Sequence, residues 1–362
     1  MNILIVTGHP AQIHNFRELK NSLENNGHKV FWLATNKDIS KYLLNYYKIE
    51  YSLLKRPGKT FSAKAITLLQ NTLIAFHFIK KNKIDITLSR ISPHISIASW
   101  LLRKTHLGLT DTESAGLYDK LFSKFLTVLF TAKSFKRQLR SDQIRFDGNI
   151  ELFYLHPNRF TPMPRKKVSE LLGIESNTPY VIMRFVSWDA YHDKGLAGFT
   201  DENKIRAVKE FSKYARVFIS SESELIPELY PYRIKIPPEK MHDVLAHTKL
   251  FFGESSTMAS ESAVLGNPAI YLDKTGRGYT DEEEQYGLVY NFKNDNKNQL
   301  NAISKGIELL QNPNLEESKK ENHTKFMENK IDVTGFMAWF IENYPESAKI
   351  MKENQDYQYK FK

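Results

Sequence analysis

Short apolar runs and helix-patterned segments alternate along this chain in two series, with one irregular stretch between them. NILIVTG (2–8), KVFWLAT (29–35), IEYSLL (49–54), IDITLSR (84–90) and LTVLFTA (126–132) read as strands. Helix spacing falls over 12–26, 38–47, 62–82 and 95–104, with a basic helix over 133–140. An apolar run bounded by turn residues suits a strand buried on both faces of a parallel sheet. Strands that alternate with helices build such a sheet, doubly wound. HPNRFTPMPRKK (156–167) breaks the rhythm with three prolines and a basic cluster, and reads as a linker. The alternation then resumes. YVIMRFV (180–186), ARVFISS (215–221), RIKIPP (233–238), KLFFGES (249–255) and PAIYLD (268–273) are the second set of strands. Helices are expected over 201–214, 240–248 and 333–344. The expected fold class is α/β, with two Rossmann-like doubly wound parallel-sheet domains facing a cleft. The expected divisions are 1–160, an acceptor domain; 161–335, a nucleotide-sugar domain; and 336–362, a helix and tail packing back toward the first domain.

The chain's 362 residues suffice for two domains of ordinary size. A hydrophobic fraction of 41% with 25% charged residues belongs to a soluble globular protein. The lack of cysteine excludes disulfides and thiolate metal sites and suits a reducing compartment. The start, MNILIVTGHP, has neither the basic head nor the cleavage site of a signal peptide. No apolar run reaches the roughly 20 residues that span a bilayer. The expected place is the cytoplasm, or the inner face of its membrane as a peripheral protein. The net charge of +10 fits nucleic acid, an anionic membrane surface or phosphorylated small molecules as partners.

The most informative stretch is FFGESSTMASESAVLGNPAIYLD (251–273). A strand that leaves the core here runs into Ser255, Ser256 and Thr257, then a helix. Ser and Thr are favoured N-caps. Free amides and hydroxyls at such a junction make an anion site, with the helix dipole adding about 0.3–1 kcal/mol. A diphosphate fits it. Glu261, about one turn on, has the chemistry to accept two ribose hydroxyls. Gly266-Asn267-Pro268 ends the helix. The bland alternative is an ordinary helix cap and a solvated glutamate.

This loop resembles the nucleotide-binding strand, loop and helix of GT-B glycosyltransferases and of the non-hydrolysing UDP-GlcNAc 2-epimerases. Glu254 and Ser255 fall where the epimerases carry Asp-Ser, Ser256 and Thr257 replace two glycines, and Glu261 falls on the second Glu of their E-E-A piece. Leu265, Gly266 and Pro268 match its end. The chain is more similar still to domain-of-unknown-function family 354. IHNFRELKNSLENNGHKV (13–30), LTDTESAG (109–116), GNIELFYLHPNRFTP (148–162), RFVSWDAYHDKG (184–195), FISSESELIP (218–227) and GESSTMASESAVLGNPAI (253–270) carry that likeness in order. It implies the GT-B fold and leaves the reaction open.

Other candidates lie where strands end, since loops there face the ligand in open α/β sheets. Gly8, His9 and His14 follow the first strand. The resemblance implies an acceptor loop there, with His14 as a base. Asp111 and Glu113, in LTDTESAGL, read as a base, as a match to an epimerase acid, as a D-x-E metal pair, or simply as complements to a helix dipole. Ser92-Pro93-His94 follows another strand, and His94 would line the same acceptor side. Arg184 would offset charge on a leaving diphosphate. The H-R-x-E-N pattern of the epimerases is not reproduced by Asp189, His192 and Asp193; His192 is kept as a sugar contact. Ser220, Ser221 and Glu222 end a strand near where the base would lie, and His242 opens a helix facing base or ribose. Glu284-Gln285 is similar to the acid–Gln pair that holds donor-sugar hydroxyls in some glycosyltransferases.

Three functions compete. The first is a metal-independent glycosyltransferase taking a nucleotide-diphosphate sugar, expected to be a UDP-sugar, to a glycan or lipid-linked acceptor in surface polysaccharide synthesis. The second is a 2-epimerase-like enzyme using Glu113 and His192. The third is a non-enzymatic nucleic-acid or membrane binder, which dispersed basic residues and missing RNA-module motifs disfavour. The expected partners are therefore a nucleotide sugar and its acceptor, with peripheral membrane contact and no nucleic acid. The basic clusters at 133–145 and 164–167 and the amphipathic helix at 62–82 are the candidates for that membrane contact.

Overall fold

In the computed structural model, residues 1–113, 116–186, 198–273 and 275–362 are described. Among them, two parallel sheets form. The first contains β1 (Asn2–Thr7), β2 (Lys29–Thr35), β3 (Ser52–Leu54), β4 (Ile86–Arg90), β5 (Thr105–Thr110), β6 (Val128–Ala132) and β7 (Ile144–Phe146), in the order β3-β2-β1-β4-β5-β6-β7. The second contains β8 (Tyr180–Phe185), β9 (Arg216–Ser221), β10 (Leu250–Gly253), β11 (Ala269–Leu272) and β12 (Val289–Phe292), in the order β12-β11-β10-β8-β9. The chain divides into two units, Met1–Arg159 with Lys330–Lys362, and Phe160–Asn329. The first unit takes back the chain from Lys330 onward, ahead of the expected residue 336.

Each sheet has its own core, as the apolar runs require. Leu4, Val6, Leu33 and Ile79 are buried together in the first unit. Val181, Phe211, Ile219, Phe252 and Ile270 are buried together in the second. Helices begin where side chains accept their first free amides. Thr60 caps the helix Phe61–Lys81, Thr200 caps Asp201–Phe211, and Asp332 caps Val333–Glu342. The returning segment is held by charge as well as by apolar contact. Asp147 accepts from Lys330 (3.1 Å), Lys133 (3.1 Å) and the Tyr359 hydroxyl (2.7 Å). Burial alone would raise the Asp147 pKa, but these donors, Lys330 foremost, bring it below the ordinary carboxylate value. Phe340 of the same segment meets Phe130 edge-on at 4.8 Å between ring centres.

Two expected elements are absent. Residues 233–238 are not a strand. Only Arg233 bridges Ile219, and the segment lies between two 3₁₀ turns, Pro227–Tyr232 and Pro238–Lys240. Pro237 and Pro238 have no amide to give a ladder. Residues 133–140 are not a helix, because arginines satisfy the carbonyls instead. Arg145 donates to Phe135 O (2.5 Å) and Arg137 O (2.8 Å), while Arg140 turns back to Leu126 O (2.7 Å) ahead of the stretch. Gln143 Oε1 accepts the Leu139 amide (2.8 Å). β5, β7 and β12 were not expected. β5 carries a buried histidine, β7 has three residues, and β12 carries an asparagine, so none is a plain apolar run.

β8 and β10 pair with Gly253 opposite Arg184. A Cβ on Gly253 would sit 2.1 Å from the Arg184 carbonyl oxygen and 2.8 Å from its nitrogen. Both are backbone atoms in mid-sheet and cannot swing aside. Gly253→Ala is therefore expected to cost about 3 kcal/mol or more, read as a lower denaturant midpoint. An unchanged midpoint would mean that the two strands do not approach so closely.

Candidate functional site

Strand order reverses once in each sheet, and ligands of open α/β sheets sit beyond the carboxyl ends of the strands at that reversal. In the second unit β8 leads to β9 on one side and to β10 on the other, so the reversal lies between β8 and β10. Arg184 is next to last in β8, and the glycine that ends β10 lies beside it. The helix Ser256–Val264 starts two residues after β10.

Ser255 is the N-cap, and its hydroxyl accepts the Met258 amide at 3.3 Å. The first amides of a helix have no intrahelical acceptor. With Met258 satisfied by the cap, those of Ser256 and Thr257 have no acceptor among the described residues and are open to an outside one. Ser255, Ser256 and Thr257 are all half-buried. Arg184 donates from Nη1 to Ser220 Oγ (2.7 Å) and from Nη2 to Glu222 Oε1 (2.6 Å). Its Nε is buried and has no partner among the described residues. The turn thus offers two amides at the start of the helix, while the Arg184 guanidinium, on the adjacent strand, reaches toward the end of β9. Such amides suit an anion with several oxygens.

The buried acids beneath this edge serve the protein. Glu254 is bonded to backbone amides of its own unit. Its Oε1 accepts the Phe199 amide (2.5 Å) and its Oε2 the Val186 amide (3.2 Å). Glu261 Oε1 lies 3.0 Å from His242 Nε2, and both side chains are buried. These two expected ribose or base contacts are therefore partners of each other. Ser260 donates to the buried Glu283 at 2.5 Å. Ser221 turns its hydroxyl to Ser223 O (2.8 Å), while Ser220 and Glu222 hold Arg184. Glu284 and Gln285 are exposed at the end of the helix Gly278–Gln285, with Glu284 accepting the Asn291 amide at 2.8 Å. They stand at the far end of that helix from β11. Asp189, His192 and Asp193 lie outside the described residues.

One further polar group follows β11 and was not singled out by residue type. Asp273, just past β11, accepts from Tyr271 (2.9 Å) and Thr275 (2.9 Å) and pairs with Arg277 at 3.1 Å. Tyr271 also hydrogen-bonds the Ser256 side chain, and burial raises its phenol pKa. The motif D-x-T-x-R after a strand was the available signal.

In the first unit the reversal lies between β1 and β4. Gly8 and His9 are exposed just past β1. The Gly8 amide donates to Gln12 (2.7 Å), and His9 Nδ1 accepts from Ala11 at 3.3 Å. His14 is buried in the helix Ala11–Asn25. Its Nδ1 is 3.5 Å from the Tyr47 hydroxyl, and its ring packs on Tyr154 at 5.8 Å. Asp111 pairs with Arg90 and accepts from Thr112 at 2.9 Å. Glu113 is half-buried, and its backbone carbonyl accepts from Arg137 at 3.1 Å. His94 meets Ser92 Oγ at 3.1 Å, and burial lowers its pKa to about 4. His106 on β5 meets Ser89 Oγ at 3.1 Å, and burial lowers it to about 3. At neutral pH both rings are uncharged.

A family model described as a protein of unknown function, DUF354, matches residues 1–281. No curated protein matches. Solved structures of the same fold include MnaA of S. aureus with UDP, at 13% identity and a TM-score of 0.68, covering 96% of this chain and 97% of that one. They also include a UDP-GlcNAc 2-epimerase of Neisseria meningitidis bound to UDP-GlcNAc, at 14% identity and a TM-score of 0.64, covering 98% and 99%. MurG of Acinetobacter baumannii overlaps at 15% identity and a TM-score of 0.57, covering 94% and 99%. These likenesses place the chain in the GT-B-like fold.

The two neutral histidines make stability depend on pH. Unfolded, each titrates near about 6.5. Below that value the unfolded chain binds protons that the folded one refuses. Stability is therefore full above about pH 6.5 and falls as pH drops toward the two folded values, by at most about 1.4 kcal/mol per pH unit for each histidine. Urea midpoints at pH 7, 6 and 5 should fall in that order, and His106→Gln should flatten the slope. A flat profile in the parent protein would contradict the buried, neutral assignment.

Proposed function

This chain belongs to the DUF354 family, and we propose that it is a metal-independent glycosyltransferase acting on a nucleotide-diphosphate sugar. The observation that carries this reading is the start of the helix Ser256–Val264 at the reversal point of the second sheet, with Arg184 beside it. The donor is a UDP-sugar in this reading, by analogy with the UDP and UDP-GlcNAc named for the relatives of like fold. The acceptor is a glycan or a lipid-linked sugar.

The diphosphate accepts from the Ser256 and Thr257 amides and from Arg184. In the reaction an acceptor hydroxyl oxygen bonds to the sugar's anomeric carbon. The bond from that carbon to the diphosphate oxygen breaks, and the electron pair leaves with the nucleoside diphosphate. Negative charge grows on that oxygen, and fixed amides and a guanidinium stabilise it without reorganising. Arg184 is held for this by Ser220 and Glu222, with Nε still unsatisfied. The acceptor proton goes to a base. His14 and Asp111 are the candidates, and Asp111 starts at a disadvantage because Arg90 already holds it. His94 is too weak a base at neutral pH. Glu261 and His242 act in this reading as a buried pair that fixes the helix against its neighbour.

A second reading, a sugar-nucleotide 2-epimerase, draws support from the higher structural overlap with the Neisseria epimerase than with MurG. It needs acid–base groups on both sides of the sugar C2, with Glu113 as one of them.

UDP and UDP-sugars are expected to raise the melting temperature. Ligand at 100 times its Kd adds about 2.7 kcal/mol. Arg184→Ala should weaken UDP binding at least about tenfold, from the loss of a charge-assisted bond of roughly 1.5–3 kcal/mol. No shift with any nucleoside diphosphate or nucleotide sugar would sink both enzymatic readings. Solvent deuterium incorporated at the sugar C2 would select the epimerase over the transferase.

A further inference from the structure

The helix Phe61–Lys81 is inside out for a soluble protein. Its buried stripe is Thr67, Asn71, Ala75 and Ile79. Two of these are polar and committed to local bonds. Thr67 donates to Ala63 O (2.8 Å), and Asn71 clasps both the amide and the carbonyl of Lys55 (2.8 and 3.0 Å). Ile74, Phe76 and Phe78 in its second half pack partly buried against the core, but the outward face of its first part is apolar. Phe61 is 90% exposed, Leu69 67%, Leu73 59% and Ile66 55%. A surface helix ordinarily does the reverse.

The neighbours continue this face. The helix packs against Pro93–Leu101, which in turn meets the 3₁₀ turn Ser123–Phe125 that follows Gly116–Phe122. Trp100 (57%) and Leu101 (55%) are exposed on the second helix, and Leu121 (51%) on the third. Trp100 stands edge-on to Phe125 at 5.6 Å. Between them opens a groove of about 560 Å³ whose lining includes Arg103, Lys104 and Lys124. An apolar surface of this extent marks an interaction site rather than ordinary solvent-facing surface.

Charge selects the partner. Residues 52–110 hold ten of the chain's 51 lysines and arginines but one of its 41 acids, Asp85. That one stretch therefore carries nine of the net ten positive charges. Asp85 itself accepts the Asn2 amide at 2.8 Å. Lys80, Lys81 and Lys83 close the first helix, and Lys59 precedes it, all exposed. No helix among the described residues is long and apolar enough to cross a membrane.

We infer that this face of the first unit docks on an anionic lipid bilayer. Phe61, Leu69, Leu73, Trp100 and Leu101 enter the interface, and the surrounding lysines and arginines meet lipid phosphates. The bilayer fits better than a polyanion such as RNA, because the cations ring exposed leucines rather than form a stripe of their own. The inference does not rest on the donor reading. It would give a reason for a membrane-borne acceptor, but it stands on surface chemistry alone.

The test is co-sedimentation of the full chain with vesicles of phosphatidylcholine, with and without about one third phosphatidylglycerol. Binding to the anionic vesicles is expected, at least about tenfold weaker to the neutral ones, and weakened by about half-molar salt. The double variant Leu69→Ser/Leu73→Ser, at exposed positions, should keep its melting temperature and its UDP shift and lose binding about tenfold or more. Lys80→Glu/Lys81→Glu should do the same through charge. Absence of binding, equal binding to both vesicle types, or unaffected variants would overturn the inference. So would a stable dimer in solution that the Leu69→Ser/Leu73→Ser variant splits, since the face would then belong to a second copy. Loss of the UDP shift in the parent protein would count against the enzymatic reading alone.

Discussion

The second unit depends on how closely two backbones approach at Gly253. Only a residue without a side chain lets the end of β10 lie against Arg184. That approach brings the β10 exit and the helix start beside the end of β8, where Arg184 sits. Every part of the proposed anion site follows from it. The helix contributes amides because Ser255 caps it one residue early, taking the Met258 amide and leaving the two before it. The Arg184 guanidinium is held by Ser220 and by the Glu222 carboxylate, with which a ligand's oxygens would compete for its charge.

Below that edge the polar groups are closed on one another. Glu254 ties the end of β8 to the segment at Phe199, Glu261 pairs with His242, and Glu283 takes the Ser260 hydroxyl. Buried carboxylates are costly unless engaged, and the bonds of Glu261 to His242 and of Ser260 to Glu283 tie the helix Ser256–Val264 to its neighbours. A fixed helix is what an electrostatic site needs, since its dipoles then do no work of reorganisation when charge develops. The first unit shows the same economy. Asp111 is matched to Arg90, and Asp147 to two lysines and a tyrosine.

The strands were legible wherever a run was both apolar and uninterrupted, as in NILIVT, YVIMRF and LFF. Parallel strands buried on both faces have no other way to be written. β5 escaped because His106 and Gly108 interrupt it, and each is explained only by a neighbour in space: Ser89 for the histidine, Leu126 for the glycine. The stretch after β6 misled for a related reason. Its spacing and charge suit a helix, yet the Arg145 guanidinium takes the Phe135 and Arg137 carbonyls that a helix would use. At the site, the Ser-Ser-Thr turn was readable because N-caps are local. The fate of Glu254 and Glu261 was not, because a carboxylate's partner lies on another element. The Asp273–Arg277 pair went unread although D-x-T-x-R after a strand marks it locally. The inverted helix at 61–81 was read as amphipathic, but which face is outward depends on what Asn71 grips.

The central claim is that the Ser256 and Thr257 amides receive a diphosphate. Selective ¹⁵N labelling of serine and threonine, with UDP titrated into the full chain, tests it most directly. The account predicts that the Ser256 and Thr257 resonances move first and saturate together, and that uridine without phosphates leaves them in place. Saturable UDP binding that leaves both amides unmoved would contradict it.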